Sequence, residues 1–481
     1  MIDLPSEPSR LEQLGYSQEL DRRLSVFQVV GLAMADVSPT MAVLFLTGGV
    51  FAVGGTFAIG ANLILTVVVV LIALCLAELA SMFPIAGGMY SLVKHVLPGP
   101  LTWITMFNYL IQGIVIPASI AIGINGFIKQ LAPGFNVPDT AVAFVLLAVA
   151  TGIALTTVEF GAHVTLVMVV IELVVLGIVT AAAVLHPHQS IVDVTLHPTM
   201  PGSGPSSAAF MVVGFGVMLA TLAPAFNVIN GYDAALGFAE ELKGGERAIA
   251  RAVVISAILA CILIVIPLTA AVVAAPNLND FFNAPSPVIY SVESALGGSA
   301  KYLVGIGASV ALFNAMLSLL MYFARGVYAT GRDNVWPAAI NSRIGKLNRF
   351  RSPAVGVLVL AVPAAVLIFT SALNFLIIFA GTVIAAVYLC VGLAAIVSRL
   401  SQKDETRPYR MPLWPLPPIV VVGFTTLALA TQERQYLVSE LVLIVVALAC
   451  WAGSKRWSSP PNYDEGPSLS TSNVVELGAE A

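Results

Sequence analysis

The sequence predicts an all-α integral membrane protein with twelve transmembrane helices. Hydrophobic residues make up 58% of its 481 positions and charged residues only 10%. Because one membrane span needs about 20 apolar residues, twelve spans use nearly all of this apolar supply. Two of the long apolar segments are also interrupted near their middle, by Ser, Pro and Thr at 38–40 and by Asn, Gly, Tyr and Asp at 230–233. The pattern predicts two discontinuous helices in a membrane bundle.

Apolar stretches bounded by Pro, Gly and charged clusters set the limits of each helix. We predict helices at 25–54, 58–83, 100–129, 138–158, 164–186, 208–238, 250–275, 300–331, 354–371, 373–399, 414–431 and 436–457. An even number of spans places both termini on one side. All but three of the 22 Lys and Arg residues then fall on that side, the exceptions being Lys129, Lys301 and Arg434. Since basic residues collect on the cytoplasmic side, we predict a multi-pass protein of the inner or plasma membrane with both termini cytoplasmic.

The two chain ends and the motif content exclude several classes of protein. Residues 1–24 form a polar cytoplasmic tail without a signal-peptide pattern, and 458–481 form a polar tail that we predict to be disordered. The nearest Gly-Lys pair, at 345–346, is followed by Leu347 and so does not form the phosphate-binding loop of a nucleotide-driven pump. We predict no cofactor, no metal site, no nucleic-acid partner and no enzyme activity. The four cysteines lie in apolar runs without metal-ligand spacing.

The two interruptions have a physical cost that calls for a functional reason. Main-chain groups freed at bilayer depth find no water, so such breaks persist where they line a cavity or bind a ligand. Pro39 removes a main-chain donor, and Gly231 permits backbone angles that other residues resist. Matched breaks in two halves of a chain indicate an inverted-repeat transporter with its site between them. A simple packing kink at each break is the alternative.

Four segments give the chain a family resemblance. They are ELASMFP at 78–84 with AGGMY at 86–90, GYD at 231–233 with AEE at 239–241, GRDNVWP at 331–337, and RPYRMP at 407–412. In this order and at these spacings they resemble the amino acid-polyamine-organocation superfamily of permeases. The resemblance implies a leucine-transporter-like fold with a 5+5 inverted repeat. Helices 1–5 (25–186) and 6–10 (208–399) would be the repeats, and helices 11 and 12 (414–457) would be peripheral.

The resemblance also implies a substrate site, in which main-chain atoms at the two breaks bind the amino and carboxyl groups. The residues it implicates in substrate binding are Ser38, Pro39, Thr40, Met41, Ala42, Asn227, Asn230 and Gly231. The chain departs from the family pattern at two points. Ser-Pro-Thr replaces the glycine-rich break of helix 1, and Asn227 stands where many members place an aromatic cap, so a polar contact or a looser gate is expected there.

Three carboxyl groups fall well inside predicted spans: Asp36, Glu172 and Asp233. A carboxylate at the bilayer centre costs about 2.5–3.5 kcal/mol even on permissive scales, so each needs a reason. Because a low-dielectric site disfavours the charged form of a carboxyl group, one of them could carry a proton. We predict Glu172 for this role, with Asp36 second. Glu172 falls on helix 5, where the resemblance places a lysine that stands in for a sodium ion in many sodium-independent members.

Each of these acids also has an alternative interpretation. Glu172 could lock helix packing through hydrogen bonds, and Asp36 could bind a substrate ammonium or cap the second half of helix 1. Asp233 is predicted to order the helix 6 break. Glu240 and Glu241 are predicted to pair with Lys243, Arg247 or Arg251, in a gate or on a solvated face.

These observations predict a secondary active transporter for an amino acid or related amine that works by alternating access with proton-coupled symport. Sodium is the rival coupling ion. An amino acid, amine or polyamine exchanger (antiporter) is the alternative within transport, and a non-transporting amine receptor is the alternative outside it. The intramembrane carboxylates favour a cationic or polyamine substrate. The partners expected are the small-molecule substrate, the coupling ion and membrane lipid.

Overall fold

The computed structural model describes residues 10–16, 22–132, 134–201, 210–284 and 286–456. The predicted tail at 458–481 lies outside these residues, as do 1–9 and 17–21 of the predicted N-terminal tail. Nine described helices are long and apolar enough to span a membrane, and three apolar helices are shorter. We number these nine and three helices together as α1–α12 along the chain.

Ten of these helices are continuous apart from internal prolines. They are α2 (Phe57–Met82), α3 (Gly99–Leu131), α4 (Asp139–Ala154), α5 (Val158–Leu185), α7 (Glu246–Val273), α8 (Ala300–Arg332), α9 (Ala354–Thr370), α10 (Leu373–Ser401), α11 (Leu416–Ala430) and α12 (Arg434–Ser454). Short helices lie at Gly88–Val93, Ile191–Leu196, Leu278–Asn283, Pro287–Leu296 and Ala338–Ile344.

The two predicted boundaries that differ most from the structure are the starts of the fifth and sixth apolar segments. Helix α5 begins at Val158 instead of 164, because the Thr157 side chain accepts a hydrogen bond from the main-chain N of Phe160 and caps the helix there. The sixth apolar segment starts its helix at Phe215 instead of 208. Strand β2 (Phe210–Val212) precedes it and pairs antiparallel with β1 (Thr199–Pro201), so the described part of the chain is mostly helical with one small β-ribbon.

Helix α1 is discontinuous at Ser38, as predicted. Its first half, α1a (Val26–Val37), starts at a capping box formed by Ser25 and Gln28. Ser38 adopts a left-handed conformation with φ of 39°, and Pro39 follows without a main-chain donor. One short turn and a π-helical turn, Ala42–Leu46, lead into α1b (Thr47–Gly54). The break is therefore a left-handed turn at a single residue, with helical turns on both sides.

Helix α6 is broken at Gly231. Its first half, α6a (Phe215–Val228), is followed by Gly231 with φ of 97° and by a 3₁₀ helix, α6b (Tyr232–Phe238). A Cβ atom added at Gly231 would lie 2.8 Å from the main-chain N of Val37 and 2.9 Å from Oδ2 of Asp36. The two breaks are thus in direct contact, and glycine allows the close approach.

The surrounding helices enclose these breaks. Helix α1a contacts α5, α7, α8 and α6b, while α6a contacts α1b, α2 and α10. Behind them, α3 packs along both α8 and α10. Helix α11 packs on α10 and α2, and α12 packs on α3 and α10, at the edge of the bundle.

Replacing Gly231 with alanine is expected to destabilise the protein. The left-handed backbone alone costs a residue with a Cβ atom about 1–2 kcal/mol, and the contact with Val37 adds to this. Thermal unfolding in detergent measures the effect. Gly177→Ala in α5 is a matched control, because nothing lies within 4 Å of a Cβ atom built there. Equal unfolding midpoints for the two variants would contradict this packing.

Candidate functional site

Glu172 joins the break in α1 to two other helices. Its side chain is fully buried in α5. The Ser38 hydroxyl donates to Oε2 of Glu172 at 2.6 Å, and the Asn314 amide of α8 donates to Oε1 at 3.0 Å. The Thr40 hydroxyl donates to the main-chain carbonyl of Glu172 at 2.8 Å. Both residues of the break that have hydroxyl groups are therefore bonded to this one glutamate.

The Ser38 hydroxyl has a second acceptor within reach. The main-chain oxygen of Ala311 in α8 lies 3.2 Å from Ser38 Oγ. A hydroxyl group donates one hydrogen and accepts through its lone pairs. It can donate to an ionised Glu172, or accept from a protonated Glu172 while donating to Ala311. The site therefore satisfies this carboxyl group in both protonation states.

Asp36 lies beside Gly231 at the end of α1a and is only 4% exposed. Its Oδ1 atom has no hydrogen-bond partner among the described residues. Ser318 of α8 interacts with the carboxyl group, and Asp233 is close enough to affect it electrostatically. Buried acceptors without a partner are rare in folded proteins and cost about 1–3 kcal/mol. Asp36 thus offers a free acceptor at the junction of the two breaks.

Asp233 at the start of α6b is fixed by two tyrosines. The Tyr322 hydroxyl of α8 donates to Oδ2 at 3.0 Å. The Tyr388 hydroxyl of α10 lies 3.3 Å from Oδ1 of Asp233 and 2.8 Å from Oδ1 of Asn230. These bonds tie the short half of α6 to α8 and α10, which supports the ordering interpretation of Asp233.

The remaining residues predicted to bind substrate lie at or near the same breaks. Pro39, Met41 and Ala42 are buried in the helical turns that directly follow the break in α1. Asn227 in α6a donates from its amide to the main-chain oxygen of Ile377 in α10 at 3.1 Å. This contact connects Asn227 to α10, which the sequence alone did not suggest.

Several polar residues of the site were missed from the sequence. Asn314, Ser318 and Tyr322 recur every four residues in an apolar segment, and this spacing puts them on one face of α8. That periodicity is a usable signal. Tyr388 in α10 had no comparable pattern around it. Glu440 in α12, which lies outside this site, was also missed; it is 5% exposed, near Asn108 of α3, and neither carboxyl oxygen has a hydrogen-bond partner among the described residues.

The ends of α6b and α8 are joined by two ion pairs. Glu240 pairs with Arg332 at 2.8 Å, and Glu241 pairs with Arg325 at 2.9 Å. Both partners come from α8, whereas the sequence pointed to Lys243, Arg247 or Arg251. The reason is tertiary: the end of α8 packs against the segment after α6b, while the basic residues nearer in sequence belong to the loop and first turns of α7. Glu240 also accepts from the main-chain N of Ala86 at 2.8 Å.

A third ion pair, which is also buried, lies next to these. Lys94 bonds to Asp333, with side chains only 4% and 5% exposed, and the Tyr16 hydroxyl donates to Oδ1 of Asp333 at 2.8 Å. Burial lowers the pKa of Lys94, an effect that Asp333 opposes. Burial raises the pKa of Asp333, but the attraction of Lys94 outweighs it, so this pKa lies below its ordinary value. Asp333 is therefore ionised at neutral pH.

Two of the family-like segments meet at Glu78. Its carboxyl group accepts from Arg399 at 2.6 and 2.7 Å, from Arg407 at 2.9 Å, and from the main-chain N of Met411 at 2.7 Å. Glu78 is 1% exposed. The segment at 78–84 is thus bonded directly to the segment at 407–412.

Comparison with known proteins matches residues 24–451 to the family model described as amino acid permease. The branched-chain amino acid permease BcaP of Lactococcus lactis is 24% identical over 387 residues, which cover 76% of this chain and 80% of that protein. The BcaP protein of Bacillus subtilis is 23% identical, with coverage of 90% and 93%. The low-affinity putrescine importer PlaP of Escherichia coli is 20% identical, with coverage of 71% and 73%.

Replacing Lys94 with alanine should lower the free energy of unfolding by about 3–5 kcal/mol, because it leaves the Asp333 carboxylate buried without its charge partner. Lys129→Ala is the matched control. Lys129 pairs with Asp139 at 2.6 Å, but these side chains are 44% and 53% exposed, so a loss of about 0–1 kcal/mol is expected. Chemical unfolding of the purified variants compares the two. If both variants lose the same free energy of unfolding, the buried ion pair stabilises the protein no more than the exposed one does.

Proposed function

Because this chain belongs to the amino acid permease family, we propose that it is a secondary active transporter that moves an amino acid or related amine across a cell membrane by alternating access, coupled to a proton. It acts as a transporter and not as an enzyme. The membrane is the inner or plasma membrane, with both chain termini in the cytoplasm. The twelve spans form two repeats of five, α1–α5 and α6–α10, with α11 and α12 peripheral.

The observation that supports proton coupling is the position of Glu172. It contacts Ser38 in the break and Asn314 in α8, and the Ser38 hydroxyl can reverse its hydrogen bond toward Ala311. Protonation of Glu172 therefore changes which groups the break is bonded to without leaving a donor or acceptor unpaired. In this proposal the proton on Glu172 determines how the break in α1 is hydrogen-bonded to α5 and α8. Asp233 has no part in proton coupling and only orders the break in α6.

The substrate is proposed to bind between 38–42 and 227–231. Oδ1 of Asp36, which has no partner among the described residues, accepts a hydrogen bond from the ammonium group of the substrate. Main-chain atoms at the breaks contact the other polar groups of the substrate. A second buried carboxyl group, Asp233, lies nearby and increases the negative potential. Two acids at one junction suit a substrate with an ammonium group, and the relatives' names include amino acids and putrescine.

Alternating access requires the cytoplasmic end to open in turn. There the ion pairs of Glu240 and Glu241 close α6b onto α8, and Leu24 before α1a exchanges main-chain hydrogen bonds with residues 241 and 243. We propose that these contacts form the cytoplasmic gate, because they join the ends of the two discontinuous helices to each other and, through the ion pairs, to α8. They break when the site faces inward.

Glu172→Gln tests proton coupling. Glutamine keeps hydrogen-bonding groups toward Ser38 and Asn314 but does not titrate, so uptake into proteoliposomes should lose its stimulation by an inward proton gradient. Labelled substrate is chosen by a thermal-shift screen of amino acids and amines, since a ligand stabilises the folded state. Glu440→Gln, which changes a buried acid outside the site, should keep the stimulation.

Four outcomes would contradict this proposal in different ways. An unchanged proton response in Glu172→Gln excludes Glu172 as the coupling group. Uptake that needs a sodium gradient and ignores pH assigns the coupling to sodium, and uptake only with internal substrate indicates an exchanger. Binding without counterflow of labelled substrate indicates a receptor.

Asp36→Asn is expected to weaken substrate binding by about 10- to 100-fold, the range for losing a hydrogen bond to a charged group. Thermal-shift titration measures this affinity, and Asp36→Glu should recover part of it. Asp280→Asn, at an exposed acid in the helix Leu278–Asn283, is the control. If Asp36→Asn binds the substrate as tightly as Asp280→Asn does, Asp36 does not accept the ammonium group.

A further inference from the structure

A large cavity lies away from the two breaks, between α3, α8, α9, α10 and α12. Its volume is about 740 Å³, and aromatic and aliphatic side chains line it, including Phe107, Leu110, Trp336, Leu360, Phe379 and Leu443. This volume is within the range of about 300–1,000 Å³ that binding sites for small molecules occupy. None of the lining residues belongs to the substrate site proposed above.

The polar side chains in the lining are already bonded to their neighbours. The Trp336 indole N–H donates to the Thr330 hydroxyl at 2.9 Å, and that hydroxyl donates to the main-chain oxygen of Val327 at 2.7 Å. The Ser439 hydroxyl donates to the main-chain oxygen of Gln435 at 2.9 Å. A bound water needs two to four polar partners, and a zwitterion needs more. The cavity therefore suits an apolar chain.

The cavity opens sideways between α9 and α12. Val438, Val442 and Val446 of α12, Val359 of α9, and Ile340 are 43–57% exposed although they line it. In a protein of this family such an apolar surface on a spanning helix contacts lipid. An acyl chain of the bilayer can enter the cavity from that side.

Positive charge lies next to the end of the cavity formed by the short helix Ala338–Ile344. This helix contributes Ile340 and Ile344 to the lining, and it also contains Arg343, with Lys346 two residues beyond its end. Both basic side chains are exposed, and neither forms an ion pair with a described residue. The charge bias of the sequence places them on the cytoplasmic side, where clustered basic residues bind anionic head groups.

We propose that this cavity binds one acyl chain of an anionic phospholipid from the cytoplasmic leaflet, with its phosphate held by Arg343 and Lys346. The lipid connects the peripheral helix α12 to α8 and α9 of the scaffold. Two features of the protein would recognise this lipid. The apolar lining of the cavity contacts the acyl chain, and the two basic side chains beside it, which form no ion pair with a described residue, contact the phosphate. This site is independent of substrate, so its test does not depend on transport.

Native mass spectrometry of the detergent-purified full chain tests the head-group contact, with phosphatidylglycerol and phosphatidylcholine of identical acyl chains as probes. Phosphatidylglycerol should be retained more strongly. The double variant Arg343→Gln/Lys346→Gln should weaken its retention about tenfold or more, since each basic residue near a membrane surface contributes about fivefold. The control Lys403→Gln/Arg410→Gln removes two exposed basic residues elsewhere and should retain the lipid as the unsubstituted chain does.

Filling the cavity tests the acyl-chain contact. Val442→Trp should abolish retention of both lipids, because Val442 lines the cavity. Val445→Trp is the matched control on the same helix, since Val445 is equally exposed, at 56% against 57%, and lies outside the lining. The same spectra report whether the chain is a monomer or a dimer, and thermal unfolding checks that both variants fold.

Three results would overturn the proposal. Equal lipid retention by Val442→Trp and Val445→Trp would show that the cavity is not the site. Loss of a dimer in Val442→Trp without loss of lipid would assign this surface to a second copy of the chain. Thermal stabilisation by inorganic phosphate as large as that by phosphatidylglycerol would show an anion site that does not need the acyl chain.

Discussion

Ser38 adopts a left-handed backbone conformation in the middle of α1, and the carboxyl group of Glu172 holds its hydroxyl in place. Freed backbone at this depth has no water to bond, so the break needs partners from other helices. Glu172 and Asn314 supply them from α5 and α8, and Gly231 closes the space on the other side. The positions of both breaks depend on this set of contacts, because each break packs directly on the other.

Polar chemistry in the described part of the bundle is concentrated at its centre and at one end. At the centre the acids Asp36, Glu172 and Asp233 bond to hydroxyl and amide groups, and none of them forms an ion pair with a described residue. At the end, Glu78, Glu240 and Asp333 each pair with arginine or lysine. An acid without a countercharge can exchange a proton or an ammonium ligand cheaply, whereas a buried ion pair is costly to separate. The two regions therefore suit different tasks, exchange of ligands at the centre and closure at the end.

Much of the fold could be predicted because membrane helices have a strong local signature. The apolar segments, their order and both break positions follow from residue type alone, and so do the three acids inside the spans. The errors in the helix starts occur where another local interaction decides the conformation. Thr157 caps α5 earlier than predicted, and residues 210–212 pair with β1 as a strand instead of joining the helix. The partners of Glu240 and Glu241 were also wrong, because nearness in sequence is a poor guide when α8 returns to the same end of the bundle.

The sequence by itself determined that the chain spans a membrane, where its helices break and which carboxyl groups lie inside, since apolar length, proline, glycine and charge act locally. Only the tertiary structure decided what those groups contact. Ser38 and Glu172 are 134 residues apart, and Glu78 and Arg407 are 329 apart. Such pairs form only when several helices pack at once, and no single segment contains the information that sets their distance. The lipid-facing cavity between α3 and α12 has the same origin, because it is made by the spaces that five packed helices leave between them.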